Sequence, residues 1–320
     1  MQPPTFQDIV NARKIVSEHW PHTPLLRSPA LSRLAGCEVF LKLESLSPIG
    51  SFKGRGVMHR LAQMTPDEKA RGVITASTGN QGWALAWAAQ QIGTQATVVL
   101  PSGVPAIKRD AIADAGARIV IAGQNWNESC VAARKLAADD GLLYLEDGDD
   151  PAIMAGAGTI ALEIMEECPE LDAMLVPVGG GNLIAGCAIA AKHLKPTVRI
   201  VGIQSEAAPG VYQSWQRGEV VMAECQTFAG GMATTGPVET AFRVMQQTVD
   251  GMRLVSEDEL LRAIATIAQY HALIVEGAGA APLAALLRYR EEFAGQRVVL
   301  IVTGRNLDVG TLTRALTLVG

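Results

Sequence analysis

Short β-rich runs alternate with helical patterns along almost the whole chain, and this alternation most constrains how it can fold. The runs fall at residues 39–43, 73–76, 96–100, 118–121, 173–177, 199–203 and 297–302. Between them, residues 81–92, 106–115, 127–138, 153–167, 183–194 and 257–271 have the length and apolar spacing of helices that cross over parallel strands. The pattern predicts an α/β protein and accommodates two sheets. Residues 72–147 hold three strand-helix units with Gly-rich turns and read as a compact lobe, with Asp147-Gly148-Asp149-Asp150-Pro151 as its boundary. The 320 residues suffice for one large or two modest domains, and 48% hydrophobic against 18% charged residues implies a well-buried core.

With 27 basic and 32 acidic side chains the formal net charge is −5, and no basic run is present. A small molecule is therefore expected as partner, with no nucleic acid and no membrane surface. Cys37, Cys130, Cys168, Cys187 and Cys225 are scattered, without a CxxC pair, which argues against a zinc site or disulfide framework and for a reducing compartment. The N-terminus lacks a basic flank and apolar stretch, and no later run approaches the ~20 apolar residues that span a bilayer. The expected location is cytoplasmic.

Four loops carry candidate chemistry. Lys53 lies in Ser47-Pro48-Ile49-Gly50-Ser51-Phe52-Lys53-Gly54-Arg55-Gly56. Gly50 and Gly54 are expected to let the backbone turn tightly and approach a planar cofactor, with Phe52 packing nearby. A lysine amine in a partly desolvated pocket is both a Schiff-base nucleophile and a base. Taken alone, Lys53 also reads as a solvated lysine opening a helix that runs to Met64.

The run Val178-Gly179-Gly180-Gly181-Asn182-Leu183 joins a strand to a helix, where converging amides and the helix dipole favour a phosphate. A plain βα turn is the competing reading. No GxGxxG with a correctly placed acid and no GxxxxGK[ST] occurs, so nucleotides are disfavoured. An amine together with a phosphate nest suggests pyridoxal phosphate.

In Ala76-Ser77-Thr78-Gly79-Asn80-Gln81-Gly82, hydroxyls and amides suit an amino-acid carboxylate, and Asn80 can donate to a phenolate such as the pyridoxal ring oxygen. The alternative is a Ser or Thr helix cap. In Val302-Thr303-Gly304-Arg305-Asn306-Leu307-Asp308, the Thr303 hydroxyl is a candidate partner for a pyridine nitrogen, and unlike a carboxylate it does not hold that nitrogen protonated. Another capped strand-helix turn is the alternative.

Taken in order, these runs resemble the fold-type II pyridoxal-phosphate enzymes, which are tryptophan synthase β-like, and within them the threonine dehydratase (threonine ammonia-lyase) and serine racemase branch. The resemblance spans His22-Thr23-Pro24-Leu25-Leu26, Phe40-Leu41-Lys42-Leu43-Glu44, the four loops, Val255-Ser256-Glu257-Asp258-Glu259-Leu260 and Val275-Glu276-Gly277-Ala278-Gly279-Ala280. It implies two open, twisted, mostly parallel sheets flanked by helices. A large cofactor domain would comprise 1–71 and 150–320, a small substrate-loop domain 72–149, and a homodimer or higher homo-oligomer would form. The chain as given ends at Gly320, so no C-terminal regulatory domain is expected.

By the same resemblance Lys53 would bond the cofactor aldehyde and abstract the α-proton, Phe52 would pack on the ring, and Asn80 would bind its hydroxyl. Gly179, Gly180, Gly181, Asn182 and Leu183 would hold the phosphate and Thr303 would face the ring nitrogen. Ser77, Thr78 and Gln81 would take the substrate carboxylate. The implied reaction is elimination from a β-hydroxy amino acid such as L-threonine or L-serine to a 2-keto acid and ammonia.

The family pattern is broken at Asn182 and Arg305, each in place of a glycine, and at Gln81 in place of a histidine. Arg305 or Trp83 could reshape the pocket for a 3-hydroxyaspartate-like or hydroxyectoine-derived acid. The favoured reading has Arg305 facing solvent or an acidic neighbour. Racemisation is the nearest rival, because Thr78 places a hydroxyl where serine racemases use one. A cysteine-synthase-type β-replacement, a non-catalytic binder and a phosphate sensor fit less well. Some relatives hold a divalent metal where this chain has Gln204 and Gly210. Glu206 lies close by, yet no metal is expected there. The five histidines form no cluster and are assigned no role.

Overall fold

The computed structural model describes residues 1–104, 106–146 and 148–318. Its strands are β1 (Leu25–Arg27), β2 (Glu38–Leu43), β3 (Val73–Ala76), β4 (Ala96–Leu100), β5 (Arg118–Ile121), β6 (Leu143–Tyr144), β7 (Ala173–Pro177), β8 (Arg199–Ser205), β9 (Gly251–Val255) and β10 (Arg297–Val302). They form a six-stranded sheet in the order β1-β2-β10-β7-β8-β9 and a four-stranded sheet in the order β5-β4-β3-β6. Every pairing is parallel except β1 with β2. All residues of β3, β4 and β7 are buried, as expected of parallel strands covered on both faces.

The first seven helices are α1 (Phe6–His19), α2 (Pro29–Ala35), α3 (Lys53–Ala62), α4 (Pro66–Arg71), α5 (Asn80–Ile92), α6 (Ala106–Asp114) and α7 (Trp126–Asp140). They are followed by α8 (Pro151–Glu167), α9 (Asn182–Leu194), α10 (Gly210–Arg217), α11 (Glu239–Thr248), α12 (Glu257–His271), α13 (Gly277–Arg288) and α14 (Val309–Thr317). One face of the six-stranded sheet packs on α12 and α13, where Leu41, Leu175, Leu300, Ile264 and Leu283 share a core. The other packs on α8 and α9 through Met174, Val176, Ile301, Ile160 and Ile184. A third core joins α3 and α5 to the four-stranded sheet through Val57, Met58, Leu61, Leu85 and Val98.

Asp147, the first residue of the expected boundary run, lies outside the described residues. Asp150, within that run, caps α8 by accepting from Ala152 N at 2.8 Å, with Pro151 at the first turn.

Small residues bring α3, α8 and α9 together closely enough to fix two loops at once. A Cβ on Gly156 of α8 would lie 2.6 Å from the Arg55 carbonyl of α3, and one on Gly158 would lie 2.7 Å from the Gly186 carbonyl of α9. α3 begins at Lys53 and α9 at Asn182. The lysine run and the glycine run are therefore set by backbone-to-backbone packing of the helices that follow them. Among the described residues, no helix is long and apolar enough to cross a membrane.

Candidate active site

The four candidate loops leave the carboxyl ends of β2, β3, β7 and β10, where open parallel sheets bind ligands. β10 lies between β2 and β7 in the large sheet, so three of these loops start side by side. The Lys53 run is laced to the segment after β10 by backbone bonds. Phe52 N donates to Thr303 O at 3.0 Å, Arg305 N donates to Gly50 O at 2.8 Å, and Ser51 and Gly304 form an antiparallel bridge. Gly50 adopts φ +68°, the left-handed conformation this tight turn needs.

The expectation for Gly54 requires correction. A side chain there would overlap the Trp20 ring, so Gly54 is small to seat a tryptophan, not to admit a cofactor. Lys53 is partly buried at the first turn of α3, with Nζ 5.6 Å from the centre of the Phe52 ring. The helix stops at Ala62, two residues before Met64.

Two residues past Lys53, the fully buried Arg55 donates to both oxygens of two carboxylates. Its distances are 2.9 and 2.9 Å to Glu44 and 2.6 and 2.9 Å to Glu163. Lys42 Nζ meets the same Glu163 at 2.6 Å. Burial alone would raise the Glu163 pKa, but the Arg55 hydrogen bonds and charge, with Lys42, hold it below the ordinary carboxylate value. Bidentate geometry of this kind fixes a guanidinium in direction as well as position.

At the end of β7, Gly181 sits at φ +109° and precedes α9, whose N-terminus carries no side-chain cap. Among the described residues no acceptor takes the N–H groups of Gly179, Gly180, Gly181 or Asn182, whereas the Gly180 carbonyl accepts from Val238 N at 2.8 Å. Four donors at an uncapped helix start suit a phosphate. Asn182 donates to Gly148 O at 2.7 Å and its buried Oδ1 has no partner among the described residues, while Leu183 turns into the core.

After β10, the Thr303 hydroxyl is buried and unpartnered among the described residues, as is that of Ser51 opposite. A buried hydroxyl without a partner is costly, so an acceptor such as a pyridine nitrogen fits Thr303. Thr303 is no helix cap. Asp308 serves α14 in that role, accepting from Thr311 N at 2.8 Å.

After β3, the cap reading of Ser77 and Thr78 also fails, since α5 is capped by Gly79 without a side-chain bond. Both hydroxyl residues are half-buried. Ser77 Oγ accepts from Gly79 N at 3.3 Å, and neither hydroxyl bonds to the other site residues. Gln81 is 2% exposed, with both amide atoms unpartnered among the described residues.

Asn80 is tied to two residues whose roles the sequence did not assign. Its Nδ2 lies 3.0 and 3.2 Å from the two carboxylate oxygens of Glu276, and its Oδ1 accepts from Asn306 Nδ2 at 2.6 Å. Burial pushes the Glu276 pKa up to about 7, against the Asn80 hydrogen bond, the Asn306 N–H and the charges of Lys53 and Lys108. Glu276 also links the glycine run. A Cβ on Gly231 would come 3.6 Å from its Oε1, and Gly231 O lies against Gly179. The one sequence signal for Glu276 was its family-like context before α13.

Arg305 is exposed, with its side chain against Gly50 and no acidic partner among the described residues. Trp83 packs partly buried on the core beneath α5. Where some relatives hold a metal, Gln204 is fully buried, accepts from Tyr212 N at 2.8 Å through Oε1, and has no partner for Nε2 among the described residues. A side chain at Gly210 would overlap the Thr235 carbonyl.

A lysine between two sheets, an open phosphate nest and an orphaned buried hydroxyl define a pyridoxal-phosphate-dependent enzyme of the α/β, fold-type II class. Comparison with known proteins agrees: the chain belongs to the family described as pyridoxal-phosphate dependent enzyme, whose model matches residues 16–304. It is similar to an L-threonine ammonia-lyase of Thermotoga maritima, 36% identical over 97% of this chain and 77% of that one. Among solved structures it is similar to the processed form of threonine deaminase isoform 2 from Solanum lycopersicum, at 32% identity and a TM-score of 0.95, covering 100% of this chain and 96% of that one. Serine racemase from Dictyostelium discoideum is also similar, at 31% identity and TM-score 0.89, covering 95% and 99%.

Proposed function

We propose that this chain is an ammonia-lyase that eliminates water from a β-hydroxy amino acid of the threonine and serine class, yielding a 2-keto acid and ammonia. The carrying observation is the Thr303 hydroxyl, buried and unpartnered at the end of β10. A neutral partner for the ring nitrogen moderates electron withdrawal, which favours loss of a β-substituent over transamination. The similarity to threonine ammonia-lyase and threonine deaminase supports the same reading.

When bound, pyridoxal phosphate supplies the electron sink for a negative charge at the substrate Cα. Lys53 would hold the cofactor through its aldehyde and would be the base that takes the substrate's α-proton on Nζ. Phe52 would pack beside the ring, Asn80 would donate to its oxygen, and the N–H groups from Gly179 to Asn182, backed by Leu183, would hold the phosphate. Ser77 and Thr78 offer hydroxyls to the substrate carboxylate, and Gln81 brings an amide whose hydrogen bonds are otherwise unmade. Water leaves across Cα–Cβ, and the released enamine hydrolyses to keto acid and ammonia. In the same proposal residues 72–149 form the small domain, the enzyme is a cytoplasmic homodimer, and Gln204 and Gly210 leave the region where some relatives hold a metal without a divalent ion.

Racemisation is the second reading, favoured by the half-buried Thr78 hydroxyl and the likeness to serine racemase. The test is an absorption spectrum followed by threonine, serine or 3-hydroxyaspartate with continuous keto-acid detection and chiral analysis of remaining substrate. A band near ~415 nm that Lys53→Ala abolishes, with keto acid formed, supports the lyase. Inverted substrate without keto acid would move the assignment to racemase. No band after reconstitution would overturn the cofactor itself.

A further inference from the structure

Asn80 is the middle member of a chain of hydrogen bonds with one direction. The Ile49 carbonyl can only accept, and it takes Asn306 Nδ2 at 3.1 Å. That contact turns the Asn306 amide so that the same Nδ2 also donates to Asn80 Oδ1 at 2.6 Å. Asn80 must then direct Nδ2 the other way, where both oxygens of Glu276 lie at 3.0 and 3.2 Å. Amide orientation follows from the hydrogen-bond network, and here both ends of the network are acceptors.

The Glu276 carboxylate lies close against the Gly304 backbone, in space that only a glycine leaves there. A Cβ on Gly304 would lie 2.6 Å from Glu276 Oε1, and Gly304 O receives Glu276 N at 3.0 Å. The charged groups acting on Glu276 are Lys53 of α3 and Lys108 of α6, and the remaining neighbours are the Asn80 amide of α5, the Asn306 N–H and the backbones at Gly304 and Gly231.

We propose that Glu276 and Asn306 are positioning residues that lock the Asn80 amide in one orientation, leaving its second N–H as the donor to the cofactor ring oxygen. The proposal rests on the reading that Asn80 meets that oxygen. A reversed amide would present a lone pair in the same place, and the ring oxygen would answer by keeping its proton, which moves absorbance from the visible to the near ultraviolet. Because Ile49 belongs to the lysine run, one run sets both the Schiff-base amine and the amide. Burial of Glu276, with a pKa near about 7, makes the lock sensitive to pH in the working range.

The test uses the reconstituted holoenzyme of wild type, Asn80→Ala, Asn306→Asp and Glu276→Gln, with cofactor content and thermal unfolding measured for each. Asn306→Asp turns a donor into an acceptor facing Asn80 Oδ1, and is expected to move more than half of the band near ~415 nm toward ~330 nm at unchanged cofactor content. Its kcat should fall about tenfold with KM little changed. Glu276→Gln keeps the shape and one acceptor. It should fold as wild type and keep the band, but lack the spectral step that wild type is expected to show as pH passes about 7. A wild-type spectrum and pH step in both variants would overturn the proposal. If Asn80→Ala itself leaves the spectrum unchanged, the reading of Asn80 as the ring-oxygen donor fails instead. Should Asn306→Asp fail to fold, the pH step in Glu276→Gln decides alone.

Discussion

Thr303 shows how one hydroxyl can decide between reactions that share a cofactor. The residue is 2% exposed and its hydroxyl finds no partner among the described residues, so a ligand acceptor there would supply a hydrogen bond that the protein leaves unmade. Thr303→Ala is therefore expected to weaken pyridoxal-phosphate affinity by about 2- to 10-fold, the worth of one neutral hydrogen bond, read by fluorescence titration of the cofactor-free protein. An unchanged Kd would show that the hydroxyl faces no part of the cofactor. Lys53, Asn80, Thr303 and the glycines were legible because each sits in a loop run whose residue types have few other uses in combination. Glu276 was not, since its partner Asn80 lies 196 positions away and a lone glutamate before a helix carries no sign of that contact. Gly54 was misread for the same reason: Trp20 is distant in sequence, and nothing local announces a ring against its Cα.

The helices that carry the site are held by what they lack. Where α3 meets α8 and α8 meets α9, glycines allow backbone contact, and a methyl would have to displace a carbonyl, not a flexible side chain. A Cβ on Gly56 would stand 2.7 Å from the Ile153 carbonyl, so Gly56→Ala is expected to cost about 1–3 kcal/mol by urea unfolding and to lower activity with it. Equal stability and activity would mean that the helices part at no cost. The seven strands expected from the sequence are all present, with β8 extended to Ser205. β1, β6 and β9 were not expected, and the reason is physical. β1 and β6 have three and two residues, too few for a periodic signal, and β9 interrupts its apolar run with Arg253. Such strands form because a neighbour offers an edge, which is information held by the sheet and not by the segment. α3 was read only as a helix opening at Lys53, because Gly54, Arg55 and Gly56 break any helical pattern, whereas in the fold Arg55 is the buried anchor of that turn.

Across the whole molecule, two buried carboxylates oppose each other in their response to pH. Glu163, joined to Arg55 and Lys42, has a lowered pKa, so its contribution is present above the ordinary 4.5 and is lost as pH falls through the lowered value. Glu276 has its pKa raised from 4.5 to about 7, so its contribution is complete below 4.5 and is lost as pH rises through about 7. One group favours the native state on ionising and the other on taking up a proton. As far as these two groups act, the cofactor-free protein should thus be most stable near pH 4.5, with Glu276 governing part of the fall from there to about 7. In Glu276→Gln, whose side chain cannot ionise, Tm should decline less than wild type between pH 4.5 and about 7, the span in which the unfolded chain has released a proton that the folded carboxyl still holds. Glu163→Gln should lose acid sensitivity, yet be less stable above pH 4.5 by about 3–5 kcal/mol, because Arg55 and Lys42 are left buried with too little negative charge. Thermal unfolding of the three proteins from about pH 3 to 8 checks both. Parallel curves for wild type and Glu276→Gln would show that Glu276 titrates alike in folded and unfolded chains, and would remove the burial that makes its contact with Asn80 directional.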